Sequence, residues 1–361
     1  MPNDAPDPNV RAPGAPAPWT PPADMPPKML TPSDVPPVGV AAAEPMPQPD
    51  DKETTVALIE ALEHKRGNRV LVYWTSDLAR MSDAVVRSFY DQLCSIGDVP
   101  HLDLVLQTNG GETEIPWRLT SLIREFAKRF TVIVAHRAAS SGTLLAMGAD
   151  EIVMTRFAVL GPIDPRRNHP LLPVREGTQA EPVSVQDMRH AIQFIREASR
   201  AGSEFAYTPE AMAQIFTSLF DKLDPLVIGA IEQSHALSKL IGTRCLETHM
   251  KGSKAEKRIA ALVDKLCDEY ESHAYQIPRA EAKSIGLKVK SASPKLDELV
   301  MRLYRHYTSR PLRPPILPPD GGELKAHIAW LDTTEMQLRC VANQVNRGGR
   351  LQSVSDRWER Y

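Results

Sequence analysis

The sequence predicts an α/β fold of stacked βαβ units around a largely parallel sheet, with a helical region inserted after the last central strand. Three observations carry this. Short β-branched runs alternate with amphipathic stretches of helical length between residues 54 and 154. Two of those runs end directly in turns of glycine or other small residues, the place where parallel sheets build their sites. From about 184 to 272 the pattern becomes helical throughout.

The elements follow in order. Val56, Leu58, Ile59 and Leu62 have helical spacing and lead to Gly67, a natural stop. Arg69-Val-Leu-Val-Tyr-Trp74 reads as a buried strand, and Val85, Val86, Phe89, Tyr90 and Leu93 mark a helix ending near Gly97. Leu102-Asp-Leu-Val-Leu106 is a second strand, closed by Asn109-Gly110-Gly111. A helix from Pro116 to Phe130 precedes the strand Thr131-Val-Ile-Val134, which runs into Ala138-Ala-Ser-Ser-Gly142. Thr143 to Ala149 is helical and Ile152-Val-Met154 is another short strand. A proline-containing loop opens at Gly161-Pro-Ile-Asp-Pro165. Helical stretches are expected at about 184–200, 209–246 with a break near Pro225, and 254–272; a turn, short helix and strand fill 277–289.

Composition bounds the partners. Of the 32 prolines, 16 precede residue 51, in a segment with one aromatic residue, Trp19, and no Ile or Phe. Such a segment cannot bury enough apolar surface to offset chain entropy, so residues 1–50 are expected to form a disordered, polyproline-like arm. Residues 51–305 form the main domain. Residues 306–361 are expected to be a proline-rich linker, Pro311-Leu-Arg-Pro-Pro-Ile-Leu-Pro-Pro319, then one amphipathic helix at about 323–345 and a charged tail. A net charge of -2 gives no reason to expect nucleic acid as a partner. No apolar run approaches the ~20 residues that span a bilayer, and the first residues do not read as a signal peptide. The four cysteines have no Cys-x-x-Cys spacing, so no metal site is expected; buried free thiols in the cytoplasm are.

The chemistry concentrates in the two turns. A serine nucleophile needs a sharp turn exposing Oγ, a base, and backbone N–H groups aimed at the developing oxyanion. Ala139-Ser140-Ser141-Gly142 suits the first need, and Gly110-Gly111 the last, because glycine lets the backbone approach a ligand closely. Gly111 and Ser140 are 29 residues apart, enough for one helix and one strand, which places them on adjacent strand ends.

Thr108-Asn-Gly-Gly111, Ala139-Ser-Ser-Gly-Thr-Leu-Leu-Ala146, Ala149-Asp-Glu-Ile-Val-Met154 and Val159-Leu-Gly-Pro-Ile-Asp-Pro165 together resemble the serine dehydrogenase proteinase family, a relative of Clp protease and signal peptide peptidase A. Lys222-Leu-Asp-Pro-Leu-Val-Ile-Gly229, Ser272-His273 and Ile277-Pro-Arg-Ala-Glu-Ala-Lys-Ser-Ile-Gly-Leu287 extend the resemblance over about 65–305. It implies a Clp protease/crotonase-like fold and a serine endopeptidase acting on polypeptide as a homo-oligomer without a cofactor. The Ser-x-Gly pattern of these relatives selects Ser140 as nucleophile, with Ser141 the alternative, and implies an oxyanion hole from the N–H groups of Gly111 and Ser141. Serine oxidation is not implied, since no Gly-x-Gly-x-x-Gly follows a strand.

The base departs from the family pattern. Clp protease places a histidine after the helix that follows its serine; here that stretch holds Gly161-Pro-Ile-Asp164, and the first histidine is His169. Signal peptide peptidase A uses a lysine, and this chain has none between Lys128 and Lys222. Lys222, with Leu219, Leu223 and Leu226 near it in sequence, is therefore the leading candidate, followed by His169, His190 and His273. Asp164 is expected to brace its loop. Two other classes stay open: a non-catalytic scaffold or receptor on the same fold, and a crotonase-type acyl-CoA enzyme.

Overall fold

In the computed structural model, α1 (Asp51–Arg66) leads into β1 (Arg69–Thr75), α2 (Ala84–Ile96) and β2 (Val99–Thr108). Then come α3 (Ile115–Phe126), β3 (Ala127–Ala138), α4 (Ser141–Met147), β4 (Glu151–Met154) and β5 (Val159–Leu160). The structure describes residues 51–164, 208–220, 225–310, 312 and 318–361, together with isolated positions between 166 and 200. The expected arm at 1–50, most of the expected helix at 184–200 and most of the proline-rich linker lie outside the described residues. Beyond β5 come the two-residue ladder β6 (Arg166–Arg167) and β7 (Val183–Ser184), then α5 (Pro209–Phe220), α6 (Pro225–Glu247) and α7 (Ala255–Asp268). The chain continues through β8 (Ile277–Pro278), α8 (Arg279–Ser284), β9 (Val289–Ser291) and α9 (Pro294–Thr308) to β10 (Glu323–Asp332), β11 (Gln337–Arg347) and β12 (Arg350–Arg360).

The α/β class and the βαβ units are those expected. β1, β2, β3, β4 and β9 lie side by side and parallel, in that order. The sheet has two buried faces, so alternate residues of each strand enter different cores. Leu71, Tyr73, Leu104, Leu106, Val132 and Val134 pack with α2, α3, α4, α6 and α7. Val70, Val72, Trp74, Val105, Ile133 and Ala135 pack on the other face against α1 and α9. Each such aliphatic side chain contributes roughly 1.5–3 kcal/mol by leaving water, which holds both helical layers to the sheet. Arg66, at the end of α1, clamps the fully buried Asp103 of β2 through two hydrogen bonds of 2.8 and 2.9 Å.

The segment 323–360 overturns the expectation of a single helix at 323–345 followed by a charged tail. It forms three antiparallel strands, with β10 pairing alongside β1, so the sheet grows from its parallel centre into an antiparallel flank. The reason is local. Leu324, Ala326 and Ile328 alternate with polar residues at period two rather than 3.6, and Gly348-Gly349, both at positive φ, close a two-residue hairpin between Arg347 and Arg350. The flank is tied to α9 by a buried network. The Tyr307 hydroxyl donates to Asp332 at 2.5 Å and the Tyr361 hydroxyl at 3.0 Å, while the Arg310 guanidinium lies over the Tyr307 ring at 4.6 Å. Helix α9 was not among the sequence expectations, although Ser293 caps it by accepting the Leu296 N–H and Pro294 occupies its first position. Of the cysteines, Cys245, Cys267 and Cys340 are buried as expected, whereas Cys94 is exposed.

Candidate active site

The site lies at the carboxyl ends of β2 and β3, where Thr108 and Ala138 stand in register. Thr108 is fully buried and organises the first turn: its carbonyl accepts the Ala139 N–H at 3.1 Å and its hydroxyl accepts the Gly110 N–H at 3.1 Å. The turn is then pulled onto the 79–82 segment. The Met81 N–H donates to the Gly110 carbonyl at 2.9 Å, and the Glu112 N–H donates to the Met81 carbonyl at 2.8 Å. A trans peptide points its N–H opposite its C=O, so anchoring the Gly110 carbonyl on Met81 aims the Gly111 N–H away from Met81.

Both glycines are required by contact. At Gly111 a Cβ would sit 2.0 Å from the Met81 carbonyl oxygen. Gly110 has φ +93°, and a Cβ there would lie 2.6 Å from the Ala139 oxygen and 2.9 Å from the Ser140 Cβ. The first turn thus rests directly on the second.

The second turn is an elbow. Ser140 has φ 52° and ψ -117°, a conformation that favours glycine, and it is the only non-glycine residue at positive φ among the described residues. The chain reverses here because the Gly142 N–H donates to the Ala139 carbonyl at 2.8 Å and the Leu144 N–H to the Ser140 carbonyl at 3.1 Å. Holding a non-glycine residue in this region costs about 1–3 kcal/mol. None of the hydrogen bonds among the described residues uses the Ser140 hydroxyl, the Gly111 N–H or the Ser141 N–H. The two adjacent serines differ sharply. Ser140 is half-buried, whereas Ser141 is 1% exposed and commits its hydroxyl to the Gly111 carbonyl at 2.8 Å.

Buried Thr143 ties a third segment to the elbow. Its hydroxyl lies 2.8 Å from the carbonyls of Ala138 and Gly161 and accepts the Gly161 N–H at 3.1 Å. Three residues on, Asp164 is fully buried, and its Oδ2 is 4.0 Å from Nδ1 of His273. β5 pairs with β3 on one side and β8 on the other, bringing the stretch before β8 to the elbow. A cleft of about 260 Å³ results, lined by Asn109, Arg137, Ala139, Leu160, His273 and Tyr275. A larger cavity of about 650 Å³ lies at the other end of the sheet, against Ile152, Leu262 and Val289, away from Ser140.

The structure therefore brings together Gly111, Ser140 and Ser141. Lys222 and His169 lie outside the described residues. His190 is described and exposed. The pairing of Asp164 with His273 was not found from the sequence, because 109 positions separate them and neither sits in a motif for acid–base work. The spacing of His273 before Ile277, which pairs with Leu160, was the signal available. No group of three or more His, Cys, Asp or Glu among the described residues is placed to hold a metal.

Residues 81–188 match the family model of ClpP-like SDH-type serine proteinases. The matched stretch contains Met81, both glycines, both serines and Asp164, so the ClpP-like segment and the elbow coincide. Over this segment the chain is similar to that family. It is 33% identical over 112 residues to uncharacterized protein MJ1495 of Methanocaldococcus jannaschii, covering 30% of this chain and 38% of that protein. It is 24% identical over 204 residues to uncharacterized protein MJ0137 of the same organism, covering 56% of this chain and 58% of the other. The chain thus spans less than two-thirds of the length of these curated relatives. Solved structures similar to it include the membrane-bound stomatin-specific protease 1510-N, with TM-score 0.35, 14% identity, and coverage of 69% of this chain and 88% of that one. Another is the ClpP protease catalytic domain from Plasmodium falciparum, with TM-score 0.35, 11% identity, and coverage of 68% and 93%. Among the described residues no helix is long and apolar enough to cross a membrane.

Proposed function

We propose that the protein is a serine peptidase in which Ser140 attacks the scissile carbonyl and the N–H groups of Gly111 and Ser141 hold the resulting oxyanion. The observation that carries this reading is the strained elbow at Ser140. A conformation that costs free energy holds a hydroxyl beside two N–H groups, and none of the three has a partner among the described residues. The Ser141 hydroxyl already serves as a brace to Gly111, which favours Ser140 as nucleophile.

In this reading Ser140 Oγ forms a bond to the carbonyl carbon as its proton passes to a base. The carbonyl electron pair moves to oxygen and is stabilised by the two N–H groups. Collapse expels the amine, which takes up the proton, and water then releases the acyl group by the same steps reversed. The substrate is an extended polypeptide. One edge of the Gly111 segment is taken by Met81, and on the other the Gly111 carbonyl is held by Ser141, which leaves the Gly111 N–H for the substrate carbonyl. The working form is a homo-oligomer, in keeping with the exposed Leu240 on α6, and its location is the reducing cytoplasm, in keeping with four free cysteines.

A fluorophosphonate probe tests this. Wild type should be labelled on Ser140, and Ser140→Ala should lose the label while keeping the wild-type circular dichroism. Labelling that persists in Ser140→Ala and vanishes in Ser141→Ala would move the nucleophile. A wild type that never labels would favour a non-catalytic scaffold on the same fold.

A further inference from the structure

We propose that His273 is the general base that serves Ser140 and that Asp164 is the residue that positions it. The inference rests on the reading of Ser140 as nucleophile and replaces the expectation of Lys222 or His169 in that role. Three independent features converge. The two-residue strand β5 leaves Asp164 just beyond Gly161, whose backbone is bound to Thr143 inside the elbow. The built Cβ of Gly161 would fall 3.4 Å from the Ser140 N, so this loop lies directly against the nucleophile's backbone. His273 arrives from the other direction, four residues before Ile277, whose partner Leu160 is itself paired with Ala138. Acid and imidazole therefore meet beside the elbow because two short strands deliver them there.

The chemistry of the pair fits the assignment. Asp164 is fully buried, and His273 is 21% exposed and lines the cleft together with Ala139, the residue before Ser140. Nδ1 is the ring nitrogen facing Asp164. At 4.0 Å the carboxylate is an ion-pair neighbour rather than a hydrogen-bond partner, and its charge favours the tautomer with the proton on Nδ1 and Nε2 as the acceptor. In the forward step the Ser140 Oγ–H bond breaks, its proton goes to His273 Nε2, and the Oγ–carbon bond forms. As the scissile C–N bond breaks, the same proton passes to the leaving amine. In the second half His273 takes a proton from water and returns it to Ser140 Oγ, so protons and electrons balance without a co-reactant. Among the described residues, the charged and titratable groups at the cleft or its rim are Asp164 with Cys267 near it, Arg137, Tyr275 with Glu281, which accepts from it, and, bound to Asn109, Asp77.

The test measures the rate of fluorophosphonate labelling of Ser140 in the full chain as a function of pH. Wild type should show an acid-side limb at about pH 6 to 7, because only neutral imidazole accepts the proton. His273→Ala should label at least ~10²-fold more slowly, and added imidazole should restore part of the rate, which a purely structural histidine would not permit. Asp164→Asn should lower the plateau by ~10²–10⁴ and move the limb to lower pH, since the carboxylate no longer stabilises the imidazolium. If Asp164→Asn does not fold, the wild-type pH limb and the imidazole rescue still decide. Labelling of His273→Ala at the wild-type rate overturns the base assignment while leaving Ser140 as nucleophile. So does a slow His273→Ala that imidazole leaves unchanged, or a wild-type rate flat from pH 5 to 8. An absence of labelling in wild type overturns both readings.

Discussion

The Ser141 hydroxyl donates to the Gly111 carbonyl at 2.8 Å, and this one bond joins the turn after β2 to the elbow after β3. Met81 holds the neighbouring Gly110 carbonyl from the opposite side. The Gly111 residue is thus fixed through both of its peptides, and the direction of its N–H follows. Ser141→Ala should therefore cost about 1–3 kcal/mol, because a carbonyl in a buried turn loses its donor. Labelling of Ser140 should slow towards the ~10²–10³ that removal of one oxyanion donor costs. Thermal unfolding and probe kinetics on the same preparation check both effects; a variant unchanged in either would show that the bond does not align Gly111.

The strain at Ser140 predicts a difference between two inactive variants. Ser140→Ala and Ser140→Gly both lose the nucleophile, but only glycine adopts φ 52° with ψ -117° without strain. Ser140→Gly should be about 1 kcal/mol more stable than Ser140→Ala, offset in part by the greater entropy of its unfolded chain. Urea unfolding of the pair makes the comparison. An alanine variant equal to or more stable than the glycine variant would argue against a strained elbow.

Gly110→Ala tests the contact between the two turns. The added methyl meets the Ala139 oxygen at 2.6 Å and the Ser140 Cβ at 2.9 Å, at a residue whose φ of +93° already disfavours a side chain. A loss of about 2–4 kcal/mol is expected from overpacking and strain together, with labelling abolished. Retained labelling at wild-type stability would mean that the turns do not rest on each other as described.

Asp332 makes stability depend on pH. Burial raises its pKa to about 6, against the opposing hydrogen bond from Tyr307, the attraction of Arg310 and the hydrogen bonds from Tyr361 and the Leu338 N–H. The folded value lies above the unfolded one, so between about pH 4 and pH 6 the folded state binds more protons. Its contribution is therefore fully present below that window and is lost as pH rises through it, by about 3 kcal/mol at most. Asp332→Asn, which does not titrate, should lack this term. Urea unfolding of wild type and variant at pH 4.5 and pH 7 gives the difference, and identical pH dependences in the two proteins would contradict it.

The antiparallel flank belongs to the fold, which truncation can establish. A chain ending at residue 311 leaves β1 without its partner β10 and removes Trp330, which packs with Tyr307. An unpaired edge of buried strand residues recruits other chains. The truncated protein should aggregate, as measured by light scattering, whereas a monodisperse and cooperatively folding product would show the flank to be dispensable.

Much of the site was legible because its parts are local. The strands, the helices between them and the two small-residue turns follow from periodicity and from glycine placement, and 29 residues suffice to set Gly111 beside Ser140 once β2 and β3 are parallel neighbours. The C-terminal strands were legible too, in the alternation at Leu324, Ala326 and Ile328 and in the Gly348-Gly349 hairpin. The expected amphipathic helix over 323–345 set this period of two aside, and the period was the better guide.

Sequence by itself determined the α/β order, the two turns and the residue types that a serine nucleophile and an oxyanion hole require. Each depends on neighbours in the chain, where spacing and backbone preference act directly. Tertiary structure alone decided which serine commits its hydroxyl, since that of Ser141 is engaged by a bond to Gly111 on the neighbouring strand end. It alone brought Asp164 to His273, because β5 and β8 pair antiparallel across more than a hundred residues of intervening chain. Contacts of that range are fixed by the packing of the whole sheet, which no local pattern encodes.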